Sequence, residues 1–157
     1  METPLRNHAA EIDRGDGIPV RFKALTVAAA AAGALAFAAS PASAAANWQE
    51  VNTNSNWDCL PYKTHSISTN IKFKPCVVTN ANNDTQVVLV VQHSGTAAAV
   101  IAGEVVSSFG SNTLCNSSTL NPGFTRGCYA PTVNVPSSGG GTVNVRLSVN
   151  GTSNWYV

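Results

Sequence analysis

Charge is scarce in this 157-residue chain: Asp, Glu, Lys and Arg together make up 11% of it, and the formal net charge is +1. No basic stripe of the kind a phosphate backbone demands is present, so no nucleic acid partner is expected. Helical periodicity is nearly absent, while apolar residues recur at every second position. Close cysteine pairs are missing as well. The nearest two, Cys115 and Cys128, have twelve residues between them, whereas zinc sites are built on spacings such as C-x-x-C. No metal and no cofactor is expected.

Catalytic motifs are equally sparse. Beyond residue 44 the chain holds two histidines, His65 and His93, and four carboxylates, Glu50, Asp58, Asp84 and Glu104. No serine occupies a G-x-S-x-G elbow. The carboxylates fall in unrelated segments, whereas glycoside hydrolysis needs two of them roughly 5–9 Å apart. Both histidines stand at the ends of apolar runs, where an ordinary structural role suits them. The expectation is a protein without enzymatic activity.

An export signal is what the sequence does contain. Arg21-Phe22-Lys23 supplies a positive start, and Ala24 to Ala39 form an uncharged apolar core. Ser40-Pro41 breaks it, and Ala42-Ser43-Ala44 fits the small-x-small cleavage pattern. The core is shorter than the roughly 20 strongly apolar residues a membrane span needs. Residues 21–44 therefore read as a cleaved signal peptide. Residues 1–20 read as a mixed-charge leader, with Val20 as an alternative translation start. No cysteine stands at the cleavage point for a lipid anchor, no Arg-Arg pair marks the twin-arginine route, and no hydrophobic tail followed by basic residues marks wall sorting. A secreted, extracellular product with no membrane anchor is expected.

Cleavage would leave about 113 of the 157 residues, enough for one domain. All four cysteines, Cys59, Cys76, Cys115 and Cys128, lie in that part. An even count in an exported chain reads as two disulfides. Of three connectivities the sequential one, Cys59–Cys76 and Cys115–Cys128, is favoured; each short loop closed is worth about 3 kcal/mol in the chain-entropy view.

Alternation of period two locates the strands. Ile67, Thr69, Ile71 and Phe73 share one face of a segment over His65–Lys74, with Pro75 suiting a strand end or edge. Gln86–His93 is a continuous β-branched run, as expected of a central strand buried on both sides. Ala97–Val106 fits either a short helix or a strand bent at Gly103, and strand is favoured. Ser107–Gly127 reads as a polar loop pinned by the second disulfide. Thr132–Val135 alternates briefly, and Ser137–Gly141 reads as a flexible turn. In Thr142–Val149, Val143, Val145, Leu147 and Val149 point inward and Asn144, Arg146 and Ser148 outward. Asn150-Gly151 is a hairpin signal because both residues tolerate positive φ, and Thr152–Val157 is the returning strand. Six or seven strands at this spacing predict an all-β, small antiparallel Ig-like β-sandwich with two disulfides over 59–157.

Aromatic residues cluster around the first cysteine (Trp48, Trp57, Tyr62), and Trp155-Tyr156 stands near the end of the chain. Such rings cap cores, anchor protein interfaces or stack against sugars. The polar stretch 45–58 reads as a disordered tail, as the first sandwich strand, or as an extended N-terminal arm that adds to a partner. On the last reading Trp48, Val51, Trp57 and Tyr62 contact an extracellular protein partner. A carbohydrate- or cell-wall-binding reading assigns a glycan to Trp57, Tyr129 or Trp155 instead. A third reading, a small protease inhibitor, rests on Asn116–Arg126 as a disulfide-pinned reactive loop.

A signal peptide, a four-cysteine sandwich of this size and a polar arm bearing Trp48 together resemble the small secreted adaptor subunit of umbrella-toxin particles of high-GC Gram-positive bacteria. The resemblance covers the organisation of the exported part, and no family residue is carried over by it. It implies that the N-terminal extension inserts into a repeat-containing toxin subunit and links it to a lectin-like subunit. The function expected on this basis is a non-enzymatic adaptor or accessory subunit of an extracellular assembly.

Overall fold

The structure, a computed structural model, describes residues 44–136 and 141–156. The expected leader, nearly all of the signal segment and most of the Ser137–Gly141 turn lie outside the described residues.

Eleven strands form the domain: β1 (Trp48–Glu50), β2 (Trp57–Cys59), β3 (Lys63–His65), β4 (Ser68–Thr79), β5 (Asp84–His93), β6 (Ala99–Ser107), β7 (Thr113–Leu120), β8 (Thr125–Tyr129), β9 (Val133–Asn134), β10 (Val143–Val149) and β11 (Thr152–Tyr156). They pair antiparallel into two sheets. The larger runs β1-β8-β5-β4-β2, with β3 added to β4 and β9 to β5; the smaller runs β11-β10-β6-β7. The strand count exceeds the six or seven expected because short edge pieces such as β1, β2 and β9 carry too few residues to show alternation. The all-β, two-disulfide sandwich itself is as expected.

Alternation places the core. Phe73 on β4 and Val87, Leu89 and Val91 on β5 meet Ile101 and Val105 on β6 and Val145, Leu147 and Val149 on β10, all buried between the sheets. Removal of these side chains from water is the main drive for the two sheets to close on each other. The continuous apolar run of β5 has a second cause. Val88 and Val90 face away from the core and are also buried, under Val51, Trp57, Cys59, Val78 and Tyr129.

Ala99–Ser107 is a strand, with a register shift against β7 between Ile101 and Gly103. A Cβ at Gly103 would stand 2.6 Å from Leu89 Cδ2 and 3.0 Å from the Arg146 carbonyl oxygen. Only glycine lets the strands approach this closely. The Asn150-Gly151 hairpin forms as expected, with φ of 48° and 86°.

Two expectations are corrected. Pro75 does not end its strand: β4 continues through it, and Pro75 pairs in register with Leu89. Its carbonyl accepts from Leu60 N–H. Its nitrogen therefore also faces the gap where the chain leaves β2 for β3, and no ladder bond is lost there. Ser107–Gly127 is not a loop but holds β7 and the start of β8. The polar run Asn116–Thr119 is exposed because β7 is the edge of its sheet. With Asn116–Leu120 in β7 and Thr125–Arg126 in β8, only a tight turn separates them, and no protruding reactive loop exists over Asn116–Arg126.

The disulfides are Cys59–Cys76 and Cys115–Cys128. The first ties neighbours directly opposed on β2 and β4. The second lies in the core and joins the smaller sheet to the larger. Such bonds persist in oxidising compartments. No helix among the described residues is long and apolar enough to cross a membrane.

Candidate interaction surfaces

The segment 45–50 is bound into the sandwich. Ala46 N–H donates to the Leu114 carbonyl (2.7 Å), and Asn116 N–H donates to the Ala46 carbonyl (2.9 Å), a short parallel bridge on the edge of β7. The Asn116 side-chain amide donates to the Ala45 carbonyl and to Asn47 Oδ1. Trp48 Nε1–H donates to the Asn116 carbonyl at 2.7 Å. β1 then pairs with β8, Trp48 opposite Cys128 and Glu50 opposite Arg126. Trp48 thus packs inward against the main core. Of the three readings of this stretch, its first half takes the form of a sandwich strand, while Asn52–Asn56 are exposed.

Val51, Trp57 and Tyr129 meet on the outer face of the larger sheet, over Val88 and Val90. The Trp57 and Tyr129 rings stand edge to face at 6.1 Å. Tyr129 Oη donates to the Glu50 carbonyl (2.9 Å), and burial raises its phenol pKa above the usual 10.0. Tyr62 is exposed, with Lys74 Nζ 4.5 Å from its ring centroid. Val51, Trp57 and Tyr129 thus form a small second core with Val88 and Val90, from which Tyr62 stands apart. Trp155 lies elsewhere, on the outer face of the smaller sheet. Trp57 and Tyr129 therefore do not share one surface with Trp155, because the full thickness of the two packed sheets separates the first two from the third.

That second face carries four exposed large apolar side chains, Val100, Val106, Leu114 and Trp155. Residues outward on adjacent strands stand in register across it: Trp155 opposite Arg146, Arg146 opposite Glu104, and Glu104 opposite Leu114. Arg146 Nη2 is 2.8 Å from Glu104 Oε2, and its guanidinium lies 5.4 Å from the centroid of a Trp155 ring. Beside this row, Val100 and Val106 also point outward on β6. Leu114 is 55% exposed, Val100 50%, Trp155 40% and Val106 37%. A shallow depression of about 330 Å³ opens among Glu104, Val106, Asn112 and Leu114. As a binding residue, sequence reasoning named only Trp155 of this group. The missed signal was Val100 and Val106, large apolar residues on the solvent side of an alternating strand.

Both histidines and Asp84 are engaged structurally. His65 is buried; its Nδ1 accepts from Ile67 N–H, which leaves Nε2–H to donate to the Leu147 carbonyl at 3.2 Å. Burial pushes its pKa below 6.5, against the opposing pull of backbone carbonyls. His93 uses the same pattern, accepting from Gly95 N–H and donating to the Ala97 carbonyl at 2.7 Å. Asp84 accepts from the Asn134 and Asn80 amides, which hold its carboxyl below the usual 3.8. No cluster of three metal-ligating side chains occurs among the described residues. No family model, no curated protein and no solved structure matches this chain.

Proposed function

We propose that this chain is a secreted, non-enzymatic protein-interaction module, an adaptor or accessory subunit of an extracellular assembly. Its contact surface is the outer face of the smaller sheet. The observation that carries this reading is the exposed row Trp155, Arg146, Glu104 and Leu114 with Val100 and Val106 beside it. Trp and Arg are among the residues most enriched where interface energy concentrates, and this face exposes four large apolar side chains around them. The two histidines, with their ring nitrogens on backbone groups, favour a non-catalytic role. The arm-contact reading is less favoured, since Trp48 would have to leave the core to reach a partner. The two disulfides and the signal segment support export.

The glycan alternative keeps one specific support, the exposed Trp155 ring beside a charged pair. Leu114, Val100 and Val106 weigh against it, because sugars pair aromatic planes with polar groups and gain little from branched aliphatics. The test is affinity capture from culture medium with the tagged chain. The Trp155→Ala/Leu114→Ser variant should keep its circular dichroism and lose the co-purifying partner. A wild-type chain that captures nothing from its own medium would refute the reading, and pelleting with insoluble polysaccharide, abolished by Trp155→Ala, would replace it with the glycan one.

A further inference from the structure

The exposed face of the smaller sheet is self-complementary. Read across β11, β10, β6 and β7, its central row is Trp155, Arg146, Glu104, Leu114: apolar, cation, anion, apolar. A two-fold axis running along the strands, between β10 and β6, turns this row onto its own reverse. Arg146 of each copy then faces Glu104 of the other, and Trp155 of each copy falls at the Leu114 end of the other. At that end lies the shallow depression of about 330 Å³ lined in part by Leu114 and Val106. The same patch therefore carries a partly exposed indole and, one half-turn away, a shallow hollow.

We infer that this face is occupied by a second copy of the chain, stacked sheet on sheet. This deepens the contact-surface reading above and rests on it. Charge complementarity selects the occupant. Among the described residues the face carries one cation and one anion on neighbouring strands, so a partner of a single sign leaves one of them opposed. A partner must present an adjacent pair in the reverse order, and this chain does. An isologous contact of this kind closes at two copies. Stacked sheets pack about 10 Å apart, which leaves room for the facing side chains to interdigitate. Four strands about 4.8 Å apart and roughly seven residues long give a footprint of about 450 Å² per copy. At about 900 Å² in all, that lies below the roughly 1,200–2,000 Å² of stable interfaces, in the range of transient contacts. The dimer is therefore reversible and depends on concentration.

Sedimentation equilibrium of the exported domain over about 5–500 µM tests this. Wild type should move from monomer towards dimer across the series. Arg146→Glu and Glu104→Arg alone should each weaken association about tenfold or more, since like charges then face each other. An equimolar mixture of these two single variants should recover a one-to-one dimer, because every facing 146/104 pair is again of opposite sign. Mixing cannot repair damage within one chain, so recovery separates the contact between copies from the ion pair inside each copy. A wild type monomeric throughout, or a mixture that stays monomeric while wild type dimerises, overturns the inference. A monomeric chain that still loses a co-secreted partner on Trp155→Ala removes only the self-association. A monomeric chain with no partner removes the contact-surface reading as well.

Discussion

Both histidines of the sandwich show how little of its polar chemistry is left free. His65 lies between the sheets with one ring nitrogen accepting from Ile67 and the other bonded to the Leu147 carbonyl. A second proton would remove the acceptor and place a charge where water is excluded. Its folded pKa lies below 6.5, so the unfolded chain takes up the proton first as the pH falls. The associated stability is complete above about 6.5 and is lost progressively below it, towards the lower folded pKa. Urea midpoints should fall between about pH 7.5 and 5, and His65→Gln should flatten that slope. An identical slope in the variant would assign the effect elsewhere. Asp84 acts in a separate window, its contribution present above 3.8 and lost at lower pH. The bonds of His65 to Leu147 and of Asp84 to Asn134 could not be read from the chain, since they link residues 82 and 50 positions apart.

Among the strands, β1 has the greatest effect for its length. In six residues the chain crosses from the edge of β7 to the edge of β8, beside the Cys115–Cys128 bond. It covers two sheet edges that would otherwise expose unpaired backbone. Trp48→Ala should cost about 2–3 kcal/mol, somewhat less than a fully buried tryptophan, as measured by equilibrium unfolding. A loss near zero would return this stretch to the status of a free arm. The legibility of strands followed their position. β5, β10 and the β10–β11 hairpin were plain from the sequence, because central burial and the Asn-Gly turn leave strong patterns. β7 was not, because an edge strand has only one partner and tolerates the run Asn116-Ser117-Ser118-Thr119. Pro75 misled for a related reason: its effect depends on which side of the strand its nitrogen faces, and alternation of side chains does not report that.

At the scale of the whole molecule the two disulfides should be unequal. Cys115–Cys128 joins the sheets through the core, with Cys128 fully buried, whereas Cys59–Cys76 ties strands already paired. Replacing Cys115 and Cys128 together by serine should cost about 2–5 kcal/mol, and the Cys59/Cys76 pair less, compared by denaturant unfolding. The reverse order would mean that the sheets close without a covalent link. Composition and alternation by themselves determined the class of fold, the even set of cysteines, the burial of β5 on both sides, and the inward faces of β10 and of Ile71 and Phe73 on β4, whereas Ile67 and Thr69 are exposed. Those properties depend on local period and on the gain from burying every second side chain. Tertiary structure alone decided which aromatics share a surface. Trp57 and Tyr129 came together over the larger sheet, Trp48 turned into the core, and Trp155 went to the opposite face beside Arg146, Glu104 and Leu114. Strand order and sheet assignment set those distances, and neither is encoded in any one segment.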